Sequence, residues 1–191
     1  KGIENIMALR GDPPQDVSDF DPTIGDFVYG RDLVDFIKRE FGEYFCIGVA
    51  VYPEGHIESS SIEEDMEYTK QKIDAGADFA VTQMFFDNRY FYQFIERAQK
   101  YGIRIPVLPG ILPLTDVNKV KEFASICRTT IPTKIEEEML RFENNPEDMK
   151  KVGLDFTIRQ CRDLIKNGFK RLHFFTLNKS GVITKVLEAI K

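Results

Sequence analysis

Short apolar runs alternate with longer amphipathic segments along most of the chain. Five runs are apolar at consecutive positions, as strands covered on both faces are, and they predict strands over residues 3–9, 45–52, 79–85, 105–108 and 171–176. The helical periodicity between and after them predicts helices over residues 30–41, 61–75, 88–101, 115–127, 134–142, 146–167 and 180–190. Ser61 is the predicted N-cap of the second helix, with Glu64 as its capping-box partner. This alternation is typical of βα units in a parallel sheet.

Two architectures fit five strands that are each followed by a helix: an open doubly wound sheet and part of a (β/α)8 barrel. A dinucleotide-binding sheet of the first kind carries a G-x-G-x-x-G turn, and the sequence has none. Every strand instead ends in its own polar cluster, as the rim of a barrel active site requires. These clusters read RGD (10–12), YPEGH (52–56), TQMFFD (82–87), PGILP (109–113) and TLNK (176–179).

The expected fold class is therefore α/β, a (β/α)8 TIM barrel of which this chain supplies about the last five βα units. Residues 1–191 are expected to form one partial barrel domain. Because a closed barrel needs eight strands and the chain enters a buried strand almost at once, the first three strands are expected upstream. Five parallel strands alone would leave two open edges, so we expect the domain to need an oligomer or a partner subunit.

Composition and charge argue against several classes of function. The 191 residues carry a formal net charge of -5, which argues against a nucleic-acid partner. No apolar run approaches the length of a membrane helix. The three cysteines, Cys46, Cys127 and Cys161, are widely spaced and form no C-x-x-C pattern, so neither a metal site nor a disulfide framework is expected. A reducing, cytoplasmic location follows as the expectation.

The chemistry must be sought in scattered polar residues, because the sequence lacks a nucleophile elbow, an H-E-x-x-H motif and a Walker loop. Gln83 stands in an apolar strand, where an unsatisfied amide costs about 1–3 kcal/mol, so it is expected to face the mouth of the barrel. Asp65 and Lys72 share one helix face two turns apart. Asp12 before two prolines and His56 in a loop each also fit a plain turn or solvated residue. Taken without any resemblance, these residues indicate a cofactor-dependent barrel enzyme.

Five segments in this order and spacing resemble the 5,10-methylenetetrahydrofolate reductase family: ALRGDPP, VAVYPEGHIES, DAGADFAVTQMFFD, PVLPGILP and LHFFTLNK. The resemblance covers essentially the whole chain. It implies a (β/α)8 barrel that binds FAD and works by a ping-pong reaction in one-carbon metabolism. NAD(P)H reduces the flavin and leaves, and the reduced flavin then passes hydride to 5,10-methylenetetrahydrofolate to give 5-methyltetrahydrofolate. The residues do not indicate whether the donor is NADH, NADPH or a protein.

The resemblance assigns the flavin-lining stretch to Arg10, Gly11 and Asp12, with the Asp12 carboxylate near the isoalloxazine and the folate, where it tunes reactivity. It assigns further cofactor contacts to nine residues: Tyr29, Gly30, Tyr52, His56, Ser59, Asp65, Tyr68, Gln71 and Lys72. Gly30 stands where the family has Ala. Lys72 is the expected cation for the diphosphate. The family's general acid, a Glu on the first strand, matches no residue of this chain.

The resemblance assigns folate contacts to Asp12, Gln83, Lys119, Phe123 and Lys179. Gln83 would contact the pterin and the nicotinamide in turn, and Phe123 would stack on the aminobenzoyl ring. Lys119 and Lys179 stand where the family often has Gln and Arg, and Lys179 lacks the planar fork of Arg. Two other functions stay open: a non-catalytic folate- or flavin-binding subunit, and a related barrel enzyme that acts on another one-carbon carrier.

Overall fold

The computed structural model describes residues 2–11, 21 and 24–191. The strands in this part are β1 Asn5–Ala8, β2 Cys46–Val51, β3 Phe79–Thr82, β4 Val107–Leu108, β5 Gly110–Ile111 and β6 His173–Phe174. The helices are α1 Gly30–Phe41, α2 Ile62–Asp74, α3 Asn88–Lys100, α4 Val117–Ile126, α5 Thr133–Leu140, α6 Pro146–Lys166 and α7 Ser180–Ile190. The predicted helices are confirmed within two residues at each end.

All strand pairs in the described part are parallel, and neighbours in space are neighbours in sequence. β1 to β4 form one sheet in the order β1-β2-β3-β4, and β5 pairs with β6. Pro109 divides β4 from β5, and its carbonyl accepts a hydrogen bond from the His173 N–H at 3.0 Å. Strands form in all five predicted regions, and each is shorter than predicted: β3 ends at Thr82 rather than at residue 85, so Gln83 follows the strand instead of lying in it. β5 was not predicted, because it lies in the segment 109–113 that the sequence predicts as a polar cluster.

One face of this sheet is covered by three successive helices. Alternate residues of β2, Ile47, Val49 and Val51, are fully buried in a core cluster that also contains side chains of α1, α2 and α3. Gly48 points to the opposite face, where a Cβ would lie 2.4 Å from the Phe79 ring. The strands follow sequence order and the three helices share one face of the sheet. This arrangement is typical of consecutive βα units, whereas an open doubly wound sheet has helices on both faces.

The helix that carries most of the predicted cofactor residues has the expected N-cap. The Ser61 hydroxyl accepts from the Glu64 N–H at 3.1 Å. The Glu64 carboxylate returns to the N–H of Ser60 at 2.6 Å rather than to that of Ser61, so the reciprocal half of the capping box is shifted by one residue. This cap fixes the start of α2 directly after the loop that follows β2.

None of the helices in the described part combines the length and the apolar character that a membrane crossing requires. Within residues 2–11, 21 and 24–191, no group of three or more His, Cys, Asp or Glu side chains is arranged to hold a metal ion. Cys46, Cys127 and Cys161 form no disulfide with one another.

Candidate functional site

A cavity of about 440 Å³ lies at the carboxyl ends of β1 and β2, between the first turn of α1 and one face of α2. We call it the α1–α2 cavity. It brings together ten of the twelve residues predicted to contact a cofactor: Arg10, Tyr29, Gly30, Tyr52, His56, Ser59, Asp65, Tyr68, Gln71 and Lys72. Gly11 follows β1 in a left-handed conformation with φ 83° and does not line the cavity. Asp12 lies outside the described residues.

The floor of the α1–α2 cavity contains two opposite charges on α2. Asp65 is 3% exposed, and Lys72 is partly buried, with its ammonium group donating to the carbonyl of Ala50 at 2.6 Å. Burial lowers the pKa of Lys72 to about 8, and the Asp65 carboxylate opposes that shift. Burial also raises the pKa of Asp65, against the effect of Lys72. No ion pair within 4.0 Å joins the two side chains, so the cation remains available to an anionic ligand.

The loop after β2 is anchored on Asp65. The carboxylate oxygen Oδ1 accepts from the His56 backbone N–H at 3.1 Å and from the Ser59 hydroxyl at 3.2 Å. Within the described part of the chain, Oδ2 has no hydrogen-bond partner within 3.5 Å. The cost of burying a carboxylate is reduced by such donors, and the second oxygen is left for a ligand hydroxyl.

Two rings form one wall of the cavity. His56 and Tyr52 make an edge-to-face contact with ring centres 4.5 Å apart, and the Lys72 ammonium lies 5.4 Å from the centre of the Tyr52 ring. The His56 Nδ1 accepts from the Glu58 N–H at 3.2 Å, so this nitrogen carries no proton in the observed geometry. Burial lowers the pKa of His56, which keeps the ring neutral at pH 7.

The rim carries two arginines from separate elements. Arg10, two residues after the end of β1, donates a hydrogen bond from each Nη atom to the Glu58 carboxylate, both at 2.8 Å. Arg31, in the first turn of α1, donates to the Gln71 amide oxygen of α2. The first turn of α1 also carries Asp32, whose carboxylate accepts from the Tyr29 N–H at 2.8 Å and lies 3.4 Å from the Arg31 Nε. Two tyrosines of the rim, Tyr29 and Tyr68, are 50% and 43% exposed.

Sequence reasoning missed Arg31 and Glu58, which both line the α1–α2 cavity. Arg31 follows the predicted Tyr29–Gly30 pair. Its place in the first turn of a predicted helix could have indicated a role in anion binding, because helix N-termini bind anions. Glu58 stands two residues after His56 in a predicted loop, and nothing in its local pattern indicates that it clamps a residue 48 positions away.

The residues of the α1–α2 cavity fit a flavin dinucleotide, the cofactor that the resemblance implies. The cations Arg31 and Lys72 suit a diphosphate, whereas Arg10 is already paired with Glu58. The buried Asp65 carboxylate suits the hydroxyls of a ribityl or ribose group. A Cβ added to Gly30 would meet the Lys72 Cδ at 3.7 Å, an ordinary contact, so the cavity also accommodates the Ala that the family has there.

The predicted folate residues are not gathered in the α1–α2 cavity. Gln83 directly follows β3 and is partly buried, and its amide oxygen accepts from the Met84 N–H at 2.9 Å. Phe123 lies on α4 and is 44% exposed. Lys119, on the same helix, pairs with Asp116 at 3.4 Å, and Lys179 is the N-cap of α7.

Comparisons of the sequence with known proteins identify the family of this chain. The family model described as methylenetetrahydrofolate reductase matches residues 1–191. Methylenetetrahydrofolate reductase 2 of Saccharomyces cerevisiae is 36% identical, over 99% of this chain and 32% of the yeast protein. Methylenetetrahydrofolate reductase (NADH) 1 of Arabidopsis thaliana is 38% identical, over 93% of this chain and 31% of the plant protein. The chain thus spans about a third of the length of these relatives.

A solved structure shares the fold at low sequence identity. A Clostridium thermocellum protein, described as binding two copies of 5-methyl-5,6,7,8-tetrahydrofolic acid, matches with a TM-score of 0.55 and 15% identity. The match covers 84% of this chain and 57% of that protein. Because the family model matches along the whole sequence, the chain belongs to the methylenetetrahydrofolate reductase family.

Proposed function

We propose that this chain forms the flavin-binding part of a methylenetetrahydrofolate reductase, in which FAD carries hydride from NAD(P)H to 5,10-methylenetetrahydrofolate. The main observation behind this proposal is the α1–α2 cavity, where ten residues from four sequence regions meet around one concave surface that carries Arg10, Arg31 and Lys72 together with Glu58 and Asp65. The family membership supports the reaction, and the donor set of the cavity supports the cofactor.

The proposed architecture is a (β/α)8 barrel to which this chain contributes about five βα units. Its support is the parallel strand order that follows the sequence, together with a core cluster shared by α1, α2 and α3 on one face of the sheet. In such a barrel the carboxyl ends of the strands form the active-site rim. The α1–α2 cavity lies at that end of β1 and β2.

Different side chains of the cavity bind different parts of FAD. Lys72 and Arg31 bind the diphosphate, assisted by the N-terminus of α1. The Asp65 carboxylate accepts from a ribityl or ribose hydroxyl through Oδ2. Arg10 is held rigid by the Glu58 carboxylate and, with Tyr52, positions the flavin against the end of the sheet.

Bound FAD supplies the redox chemistry, since it can accept a hydride from one substrate and deliver it to another. The protein would position the folate and the nicotinamide against the flavin. Gln83, at the carboxyl end of β3, presents an amide to the folate and the nicotinamide in turn, and it changes no protonation state in doing so. Asp12 and Phe123 are proposed to act on the folate, with Lys119 and Lys179 as the charged groups near its glutamate.

Arg31→Gln is expected to weaken FAD binding about tenfold, because it removes one charge-assisted hydrogen bond to the diphosphate from a partly exposed site. The measurement is a fluorescence titration of the full-length apoprotein with FAD. Arg39→Gln is the matched control, since Arg39 lies on the same helix and its side chain is 63% exposed. Equal dissociation constants for both variants would contradict the role of Arg31.

The reaction itself is tested by anaerobic absorbance of the full-length protein. NADH or NADPH should bleach the flavin band near 450 nm, and subsequent addition of 5,10-methylenetetrahydrofolate should restore it. A flavin that neither nicotinamide reduces would favour a non-catalytic binding subunit. A flavin that is reduced but not reoxidised by the folate would favour another one-carbon carrier as the substrate.

A further inference from the structure

A second cavity, of about 240 Å³, lies on the far side of the loop that follows β2. We call it the arginine cavity. Its lining includes Arg97 of α3 and Arg128, just after α4, together with Glu54 and Thr130. Tyr90 and Gln93 lie on the same face of α3 as Arg97, three, four and seven residues apart. None of these residues belongs to the predicted cofactor or folate contacts.

Arg97 is a poorly compensated cation. Its Nη2 donates to the carbonyl of Pro53 at 2.9 Å, while its buried Nε has no hydrogen-bond partner. No carboxylate within 4.0 Å pairs with it in the described part of the chain. Glu63, Asp65 and Glu96 act on it only from greater distance, and burial lowers its pKa despite them. Arg97 is partly buried, and because partial burial raises the cost of a charge without a counter-ion, an anion in this cavity would be favoured.

Arg128 supplies a second guanidinium. Its Nη1 donates to the carbonyls of Ser59 at 3.2 Å and His56 at 3.4 Å, and no described carboxylate lies within 4.0 Å of it. The one acidic side chain of the lining, Glu54, is engaged by the Thr130 N–H at 3.0 and 3.2 Å. The lining therefore carries two cations against one carboxylate that already has a donor.

We propose that the arginine cavity binds an oxyanion, a phosphate or a carboxylate group, between the guanidinium groups of Arg97 and Arg128. Planar guanidinium donors match both groups, and the phenol of Tyr90 and the amide of Gln93 add neutral donors. Both arginines already hold carbonyls of the loop 53–59, whose His56, Glu58 and Ser59 line the α1–α2 cavity. An anion held by both arginines would therefore tie down the loop that separates the two cavities.

Calorimetric titration of the FAD-saturated full-length protein tests this site. Sodium phosphate and sodium glutamate are compared with sodium chloride at equal ionic strength. Saturable binding of phosphate alone would identify a phosphate site, and binding of glutamate alone a carboxylate site; both results support the proposal. If neither anion binds more strongly than chloride, the proposal is overturned.

Variants locate the bound anion. Arg128→Gln and Arg97→Lys are expected to weaken binding about tenfold each, the value of one charge-assisted hydrogen bond. Arg128 is exposed, so its replacement carries little risk to folding even where Arg97→Lys does not fold. Arg104→Gln, an exposed arginine before β4, should bind as the wild type does. Loss of binding in Arg31→Gln with retention in Arg128→Gln would place the anion in the α1–α2 cavity and overturn the proposal.

Discussion

Replacing Lys72 by Met is expected to weaken FAD binding about a hundredfold. The change removes the cation closest to the cavity floor and with it a charge-assisted contact of about 2–3 kcal/mol to the diphosphate. It also leaves the buried Asp65 carboxylate without its nearby positive charge. Lys70→Met is the matched control on the same helix, because Lys70 pairs with Asp74 and does not line the cavity.

The pH dependence of FAD binding distinguishes the effect of the Lys72 charge from the effect of its packing. Burial lowers the pKa of Lys72 to about 8 in the free protein, so the side chain is mostly protonated at pH 7 and FAD affinity should change little below that pH. Above pH 8 binding requires uptake of a proton, so the dissociation constant should rise towards tenfold per pH unit until the pKa of the complex is reached. Lys72→Arg should bind FAD without this rise, since guanidinium stays protonated.

Two results would contradict this account of Lys72. One is a wild-type dissociation constant that stays flat from pH 7 to pH 10. The other is the same rise with pH in Lys72→Arg as in the wild type, which would assign the titration to a different group. The titrations use the full-length protein at constant ionic strength, because screening of the diphosphate also changes its affinity.

Gln83→Glu is expected to slow the folate half-reaction by about tenfold to a hundredfold while leaving flavin content intact. The amide oxygen of Gln83 already accepts from the Met84 N–H, and in the described part of the chain the amide nitrogen has no partner within 3.5 Å. That NH2 group is the donor left for a substrate. Glu has no such donor and adds a charge at a partly buried position, a loss of about 1–3 kcal/mol.

Stopped-flow reoxidation of the reduced flavin by 5,10-methylenetetrahydrofolate measures this effect. Gln99→Glu, on the exposed side of α3, makes the same chemical change away from the rim and should behave as the wild type does. Unchanged folate kinetics in Gln83→Glu would mean that the residue does not face the substrate. Loss of FAD from the purified variant would mean that it supports the cofactor instead.

Much of the fold follows from local patterns. The Ser61 cap and the seven helices arise from propensity and periodicity within one segment, and the structure confirms them within two residues. Pro109 is not predicted by such patterns to be the point where the pairing changes: the four-stranded sheet ends at β4, directly before it, and β5, directly after it, pairs with β6 instead. The fully apolar faces of β2 similarly predict a strand but do not identify Gly48 as the residue that admits the Phe79 ring.

The site was predictable only in part, for a physical reason. Asp65 and Lys72 are placed on one face by helix geometry alone. The partners that give them their properties come from elsewhere: Lys72 bonds to the carbonyl of Ala50, 22 residues away, and Arg10 bonds to Glu58, 48 residues away. Contacts of this range depend on the packing of whole elements, which explains why Glu58 and the arginine cavity carry no sequence signal of their own.

The most direct test of the account is a crystal structure of the full-length protein with FAD. The account predicts that the diphosphate lies within about 3 Å of Lys72 or Arg31, that a ribityl or ribose hydroxyl donates to Asp65, and that the isoalloxazine lies beside Arg10. A flavin bound elsewhere, or one that contacts neither Lys72 nor Arg31, would contradict the assignment of the α1–α2 cavity.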